Sequence, residues 1–398
     1  MAMHIGIVGP ISFADIAYLL PDASERAAKE MQGSSLLISL IDELLNLGYQ
    51  VSAFTTEPGL DPNAAEFVLT RHGQFSLYQV PLRRKGFRSD RGLHGRMLDL
   101  FALERRCLLK AIQASGVDIL HAHWTYEFAW AAQNSNIPVL ITCHDAPWQI
   151  LRLMPDLYRL GRLLMAHRVL MRAQYLSAVS PYIVEKISWM HRASMAVIPN
   201  PLPADLFTAA AAEKKEIIIG MIINNWSRLK NAAVGMTALS ALKQIRPDIS
   251  VHLYGPGMGQ GEAAWQWAEE HDCLDSFDFF GAQPYQAIKD AIKNFTILLH
   301  PSLEESFGMT LAEAMAVGVP VVAGKNSGAV PWVVEEAGIL VDVQSADEVL
   351  KALLYLLSDK EKYQYCADAG LKRARNCFSV QAVTKQYIEQ YKKIAGFK

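Results

Sequence analysis

Short apolar runs alternate along this chain with longer stretches in which apolar residues recur every three or four positions. In the first half the short runs are His4 to Val8, Gln50 to Phe54, Leu77 to Val80, Asp118 to Ala122, Pro138 to Thr142, Tyr175 to Val179 and Ala196 to Ile198. Runs of this kind read as strands, and the periodic stretches between them read as helices. Leu36 to Leu47 is such a helix, ended by Gly48. Strand and helix in alternation make a parallel α/β sheet covered on both faces.

The alternation stops at Pro199-Asn200-Pro201-Leu202-Pro203, where three prolines in five residues oppose both helix and strand and predict a linker. A second alternation then follows. Its strands are predicted at Glu216 to Ile223, Ser250 to Tyr254, Ser276 to Phe280, Phe295 to Leu299, Val319 to Ala323 and about Ile339 to Val341. Val380, Val383, Tyr387, Tyr391 and Ile394 fall at helical spacing and predict a terminal helix over Ser379 to Ala395. Two tandem sheets imply a cleft between two domains, with expected boundaries at 1–200, 201–378 and a tail at 379–398.

Composition narrows the class. Of 398 residues, 51% are hydrophobic and 20% charged, as in a globular protein with ample core. The formal charge of −2 offers no general attraction to nucleic acid. Five scattered cysteines lack a Cys-x-x-Cys pair, which fits a reducing compartment and argues against a structural zinc. No apolar run reaches the length of a membrane span. A cytoplasmic location is expected.

The densest chemistry lies in His300-Pro-Ser-Leu-Glu-Glu-Ser-Phe-Gly-Met-Thr-Leu-Ala-Glu-Ala-Met, where Glu305 and Glu313 are separated by seven residues. The flanking apolar runs make this a strand-loop-helix-strand unit, with the helix starting near Gly308 and stopping at Gly318. Glu305 then precedes the helix and Glu313 lies inside it, on a segment so apolar that an unpaired carboxylate there is costly. The free N–H groups of Gly308, Met309 and Thr310 suit an anionic phosphate, and such loops lie where doubly wound sheets bind ligands. Phosphate donors between two carboxylates fit a nucleotide sugar. Spacing alone also permits an acid/base pair or a solvated helix face.

Other residues carry competing readings. Gly33, in Gln32-Gly33-Ser34-Ser35, gives a small-residue turn before the first long helix, which is either a phosphate approach or a plain helix start. A G-x-G-x-x-G fingerprint is absent, so a dinucleotide reductase finds little support. Arg228 and Lys230, in Trp226-Ser227-Arg228-Leu229-Lys230-Asn231, form either a solvated basic loop or a pair of cations for a diphosphate leaving group. No Asp-x-Asp occurs in the chain, which favours phosphate handling without a metal. His121 and His123 share a strand face and His144 closes the next strand. They admit a metal site, a hydrogen bond to a sugar hydroxyl, or, for His121, a satisfied core position. Arg83, Arg84, Lys85, Arg88, Arg91 and Arg96, and the arginines at 152, 159, 162, 168 and 172, read as solvated faces or as contacts for acidic lipid.

With these residues together, the chain resembles the retaining glycosyltransferases of family 4. The resemblance implies a GT-B fold, two Rossmann-like domains facing each other, the first binding acceptor and the second the nucleotide sugar, with the C-terminal helix returning to the first. It implies that Glu305 faces the transferred sugar and Glu313 binds the donor ribose, while Gly308, Met309 and Thr310 contact phosphates and sugar. Gly33 matches the family's N-terminal glycine loop and Lys230 its diphosphate-binding lysine. Gly255 and Gly281 match loops near the base, and His144 or His123 matches the cleft histidine, His144 being preferred. Asn225 stands where the family often has an arginine, a role Arg228 is placed to take; Pro201 and Trp332 also depart from the pattern.

The implied activity is retaining, metal-independent transfer of a sugar from a UDP-, GDP- or ADP-sugar to a glycan or lipid-linked acceptor, in polysaccharide or glycolipid synthesis, with no cofactor. Peripheral contact with the inner membrane face through the basic segments is part of this expectation. A nucleotide-sugar epimerase or phosphorylase of the same architecture, or a non-catalytic sugar- or nucleotide-binding homologue, are the alternatives.

Overall fold

The computed structural model of the chain describes residues 3–21, 34–207 and 216–396. It divides into two compact units, Met1–Pro201 with Val383–Lys398, and Leu202–Ala382.

The first unit is built on β1 (His4–Val8), β2 (Gln50–Glu57), β3 (Val68–His72), β4 (Phe75–Pro81), β5 (Ile119–His123), β6 (Val139–Cys143), β7 (Tyr175–Ala178) and β8 (Met195–Val197). They form one sheet in the order β3-β4-β2-β1-β5-β6-β7-β8. All neighbours are parallel except β3 and β4, an antiparallel hairpin at the edge. Strand β3 carries no apolar signal because Thr70, Arg71 and His72 give it no buried face, and the edge of a sheet tolerates that. The central strands are buried on both sides, so they read as unbroken apolar runs.

Ile5, Ile7 and Ile119 pack with Leu37, Leu40 and Leu44 of the helix Ser35–Asn46. The same core takes Val383, Tyr387, Tyr391 and Ile394 from the terminal helix Val380–Ala395, which therefore seals one face of this sheet.

The second unit has β9 (Ile218–Ile222), β10 (Ser250–Tyr254), β11 (Asp278–Gly281), β12 (Ile297–His300), β13 (Val321–Gly324) and β14 (Gly338–Val341). Their order is β11-β10-β9-β12-β13-β14, parallel throughout. Each sheet reverses direction once, between β1 and β5 in the first and between β9 and β12 in the second. Loops leaving the carboxyl ends of those neighbouring strands open a crevice for ligands.

One basic side chain departs from the solvated reading. Arg83 is 1% exposed, forked onto Glu104 at 2.6 Å and Asp99 at 2.9 Å, and Glu104 is itself fully buried. The burial of a cation here is matched by two carboxylates and the His94 carbonyl, so Arg83 anchors the loop that displays its basic neighbours.

Candidate functional site

In the second unit the loops after β9 and β12 bring opposite charges together. Strand β9 runs into Asn225, at φ 84°, and a turn in which Lys230 and Asn231 both bond the Ser227 carbonyl at 3.1 Å. Asn231 then donates its side-chain amide to the carbonyls of Pro301 and Val343 at 3.1 and 2.7 Å, and Leu303 N–H bonds the Leu229 carbonyl at 2.9 Å. The two loops are thereby stitched, and Lys230 Nζ meets Glu305 Oε1 at 2.5 Å.

His300, the last residue of β12, reaches the same carboxylate oxygen with Nε2 at 3.1 Å, while its Nδ1 lies 3.3 Å from Thr310 Oγ1. The His300 ring thus bridges the Glu305 carboxylate and the Thr310 hydroxyl. Burial pushes the Glu305 carboxyl up, but the hydrogen bond and charge of His300, with the charge and hydrogen bond of Lys230, outweigh it and hold the group at about 2. At neutral pH Glu305 is a carboxylate and an acceptor, not a proton donor.

Gly308 caps the helix Met309–Ala316 at φ 91°, a conformation in which any Cβ would be strained and would meet Leu311 Cδ1 at 2.9 Å. Met309 and Thr310 open the first turn, whose amides have no acceptor within the helix. One turn further, Glu313 is 3% exposed and accepts the Tyr285 hydroxyl at 2.8 Å. Here burial dominates: it raises the Glu313 carboxyl above its usual range, against the opposing Tyr285 bond and the charge of Lys289. Gly255 and Gly281 lie together at the ends of β10 and β11, joined by a 2.7 Å bond from Gly255 N–H to the Gly281 carbonyl. At Gly255 φ is 113°, and a Cβ would fall 1.9 Å from the Ile223 carbonyl oxygen, so only glycine lets these strand ends close.

The first unit assembles histidines instead. His123 Nδ1 and His144 Nε2 are 2.9 Å apart, and both rings are buried. Burial lowers both; His144 is brought to about 3, its interaction with the Asn200 side chain opposing only in part. Trp124 turns back at φ 63° and stacks on His144 with ring centroids 4.2 Å apart. His123 Nε2 is buried without a hydrogen-bond partner among the described residues. His121 is a satisfied core residue, held at 2.6 Å by both Tyr391 OH and Thr142 Oγ1.

The expected residues thus fall into separate groups. Lys230 and Glu305 form one hydrogen-bonded cluster with His300 and Thr310, a pairing that sequence reasoning does not single out, and Glu313 pairs with Tyr285, which it misses. Arg228 is exposed and makes no ion pair among the described residues. Gly33 lies outside the described residues. His300 closes a strand next to the motif and was legible in principle; Tyr285 is 28 positions from Glu313 and has no local signal. Among the described residues no group of three or more His, Cys, Asp and Glu side chains is arranged to hold a metal ion.

Two such α/β units, each with its polar residues at the carboxyl ends of neighbouring parallel strands, define the GT-B class. Residues 205–373 match the family model "Glycosyl transferases group 1", and residues 38–201 match "Glycosyl transferase 4-like domain". The chain belongs to the GT-B glycosyltransferases of this group 1 and 4-like kind.

Its fold is similar to that of sucrose-phosphate synthase from Thermosynechococcus elongatus, with a TM-score of 0.75 and 20% identity over 100% of both chains. Anabaena HepE in complex with UDP and glucose gives a TM-score of 0.69 at 17% identity, over 98% of this chain and 99% of that one. By sequence, the D-inositol 3-phosphate glycosyltransferase of Corynebacterium urealyticum is 27% identical over 51% of this chain and 52% of its own length. Probable sucrose-phosphate synthase 5 of Oryza sativa subsp. japonica is 36% identical over 25% of this chain and 11% of its own. The match therefore spans about half of one of these relatives and about a tenth of the other.

Proposed function

We propose that the protein transfers a sugar from a nucleotide-sugar donor to an acceptor hydroxyl with retention at the anomeric carbon. The observation that carries this reading is the Lys230–Glu305–His300 cluster at the β9/β12 switch point, beside the open first turn of Met309–Ala316. As the bond from the anomeric carbon to the phosphate oxygen breaks, negative charge grows on the diphosphate. Lys230 and the amides of Met309 and Thr310 stabilise it, the task a divalent cation performs in other transferases. The acceptor oxygen bonds to the same carbon from the same face, and its proton passes to the departing phosphate oxygen.

Glu305, held ionised, accepts hydrogen bonds from the sugar hydroxyls and keeps Lys230 extended until the diphosphate competes for it. Glu313 accepts the ribose hydroxyls, with Tyr285 orienting it. On the acceptor side His123 and His144 supply a neutral, buried pair, and the unpartnered Nε2 of His123 is suited to a hydroxyl of the acceptor or the donor sugar. The acceptor is a glycan or a lipid-linked glycan, and peripheral membrane contact through the basic segments belongs to the same reading.

The test is a thermal-shift screen against UDP-, GDP- and ADP-sugars, followed by transfer assays with the stabilising donor. Binding stabilises the folded state by mass action, so the true donor raises Tm. Glu313→Gln is expected to weaken donor binding about tenfold, a little over 1 kcal/mol for one altered hydrogen bond. No shift with any donor, or turnover of donor without acceptor into an epimer, overturns the proposal.

A further inference from the structure

The helix Leu157–Arg172 has two apolar faces, although a helix on a domain surface needs only one. Gly161, Met165, Ala166, Val169 and Leu170 are buried against the first unit. Leu157, Leu160 and Leu164 point the other way, Leu157 at 72% exposure. Spaced three and four apart, they form one stripe. The helix Pro147–Leu153 packs alongside and adds exposed Trp148 and Leu153. Trp189, 59% exposed, meets Trp148 edge-to-face with ring centroids 6.5 Å apart. Exposed apolar side chains normally scatter; here they are gathered into a patch.

The charge around the patch has one sign. Between Pro147 and Tyr175 the chain carries five arginines and a single acid, Asp156, in a protein whose formal charge is −2. Asp156 is taken by Arg159, and Arg162 is paired with Glu127 at 2.9 Å. Arg152, Arg168 and Arg172 make no ion pair among the described residues. Arg168 and Arg105 stack on the same indole of Trp130, at 4.2 and 3.8 Å, which concentrates cationic charge beside the stripe. A second copy of this face would set cation against cation. Leucines for the acyl boundary, indoles for the interface and arginines for phosphates are the features by which a helix lies in an anionic bilayer surface.

We infer that this face seats on an anionic lipid bilayer, with the leucine stripe and the Trp148–Trp189 pair at the headgroup–acyl boundary and Arg152, Arg168 and Arg172 on the lipid phosphates. The inference gives a location and a lipid chemistry to the peripheral contact proposed above, and it rests on that part of the reading and not on the donor chemistry.

Co-sedimentation of the full chain with phosphatidylcholine vesicles carrying increasing phosphatidylglycerol, in the absence of donor, tests it. Partition is expected to rise with the anionic fraction and fall with added salt, with a blue shift of tryptophan emission. The triple change Leu157→Ser, Leu160→Ser, Leu164→Ser is expected to lower partition at least about tenfold, given the apolar area it removes, and to leave Tm unchanged. Arg172→Gln is expected to lower partition about fivefold, the effect of one charge at such a surface. Equal partition to neutral vesicles, or a triple variant of unchanged Tm that binds as the parent does, overturns the inference. So does dimerisation without lipid that the triple change abolishes, which would assign the patch to a second copy. Lys230→Ala should partition like the parent; loss of vesicle binding in the triple variant and loss of transfer in Lys230→Ala are separate readouts, so either reading can fail alone.

Discussion

In the first sheet, β5 ends in His123 and its neighbour β6 leads to His144, to one side of the β1/β5 switch point; in the second, β9 leads to Lys230 and β12 to Glu305 across the switch point itself. Both pairs stand at the carboxyl ends of neighbouring parallel strands and are largely withdrawn from solvent, yet the first pair is neutral and the second is charged. The difference is one of partners. His144 has Asn200, His123 and the face of Trp124 around it, none of which stabilises a positive charge as a carboxylate would, so desolvation wins and its pKa falls to about 3. Glu305 is desolvated too, but the hydrogen bond and charge of His300 at 3.1 Å and the Lys230 cation at 2.5 Å reverse the balance and bring it to about 2. Burial by itself silences a titratable group; burial with a paired charge keeps it ionised, which suits the half of the protein proposed to face a diphosphate.

The strongest challenge to this contrast is Lys230→Ala. Turnover is expected to fall about 100- to 1,000-fold, as when one stabilising donor is removed from a developing anion. Glu305 also loses its cation, so its carboxyl should titrate higher by NMR. Near-normal turnover would mean that the charged site is not the one that handles the leaving group.

Acidification should separate the two units next. A histidine with a depressed folded pKa contributes stability above its unfolded value near 6.5 and loses it as pH falls towards the folded value. For His144 alone the loss between pH 6.5 and 5 is about 2 kcal/mol, and His121 and His123 add to it in the same direction. Glu305, also depressed, contributes stability above its unfolded carboxylate value and loses it only as pH falls from there towards about 2. Hydrogen exchange at pH 5 should therefore show β5 and β6 loosened before β9 and β12. Equal loosening would refute the contrast.

Tyr391→Phe sharpens it from the structural side. It leaves the buried Nδ1 of His121 without its 2.6 Å partner, at a cost of about 1–2 kcal/mol. The effect should appear in the melting of the first unit and leave donor binding by the second untouched. Tyr285→Phe should act in the opposite unit and more weakly. It removes the 2.8 Å bond to Glu313, raises that carboxyl further, and should reduce donor affinity a fewfold with little change in Tm.

Much of the candidate site is legible in the amino-acid sequence, and the reasons are local. Gly308 and the apolar helix after it mark a strand-loop-helix unit, and that unit places Glu305 outside the helix and Glu313 within it. The basic turn around Lys230 is visible because it follows one apolar run and precedes a periodic one. Arg83 shows where local reading fails. In sequence it is one cation in a basic stretch, yet Asp99 and Glu104, 16 and 21 residues on, bury it. Strand β3 escapes notice for a related reason, since an edge strand with no buried face leaves no apolar alternation to read.

Periodicity, turn residues and proline clusters act over a few residues, and they suffice to determine two successive α/β alternations, the break between them and a terminal amphipathic helix. Tertiary structure decides what those elements bring together. Lys230 and Glu305 are 75 residues apart, and they meet because β9 and β12 are neighbours where the sheet order reverses. Tyr391 reaches His121 across 270 residues because the terminal helix packs on the first sheet. Strand order depends on non-local pairing and the burial it achieves, so the charge state of each site, set by desolvation and by partners distant in sequence, emerges only in the folded chain.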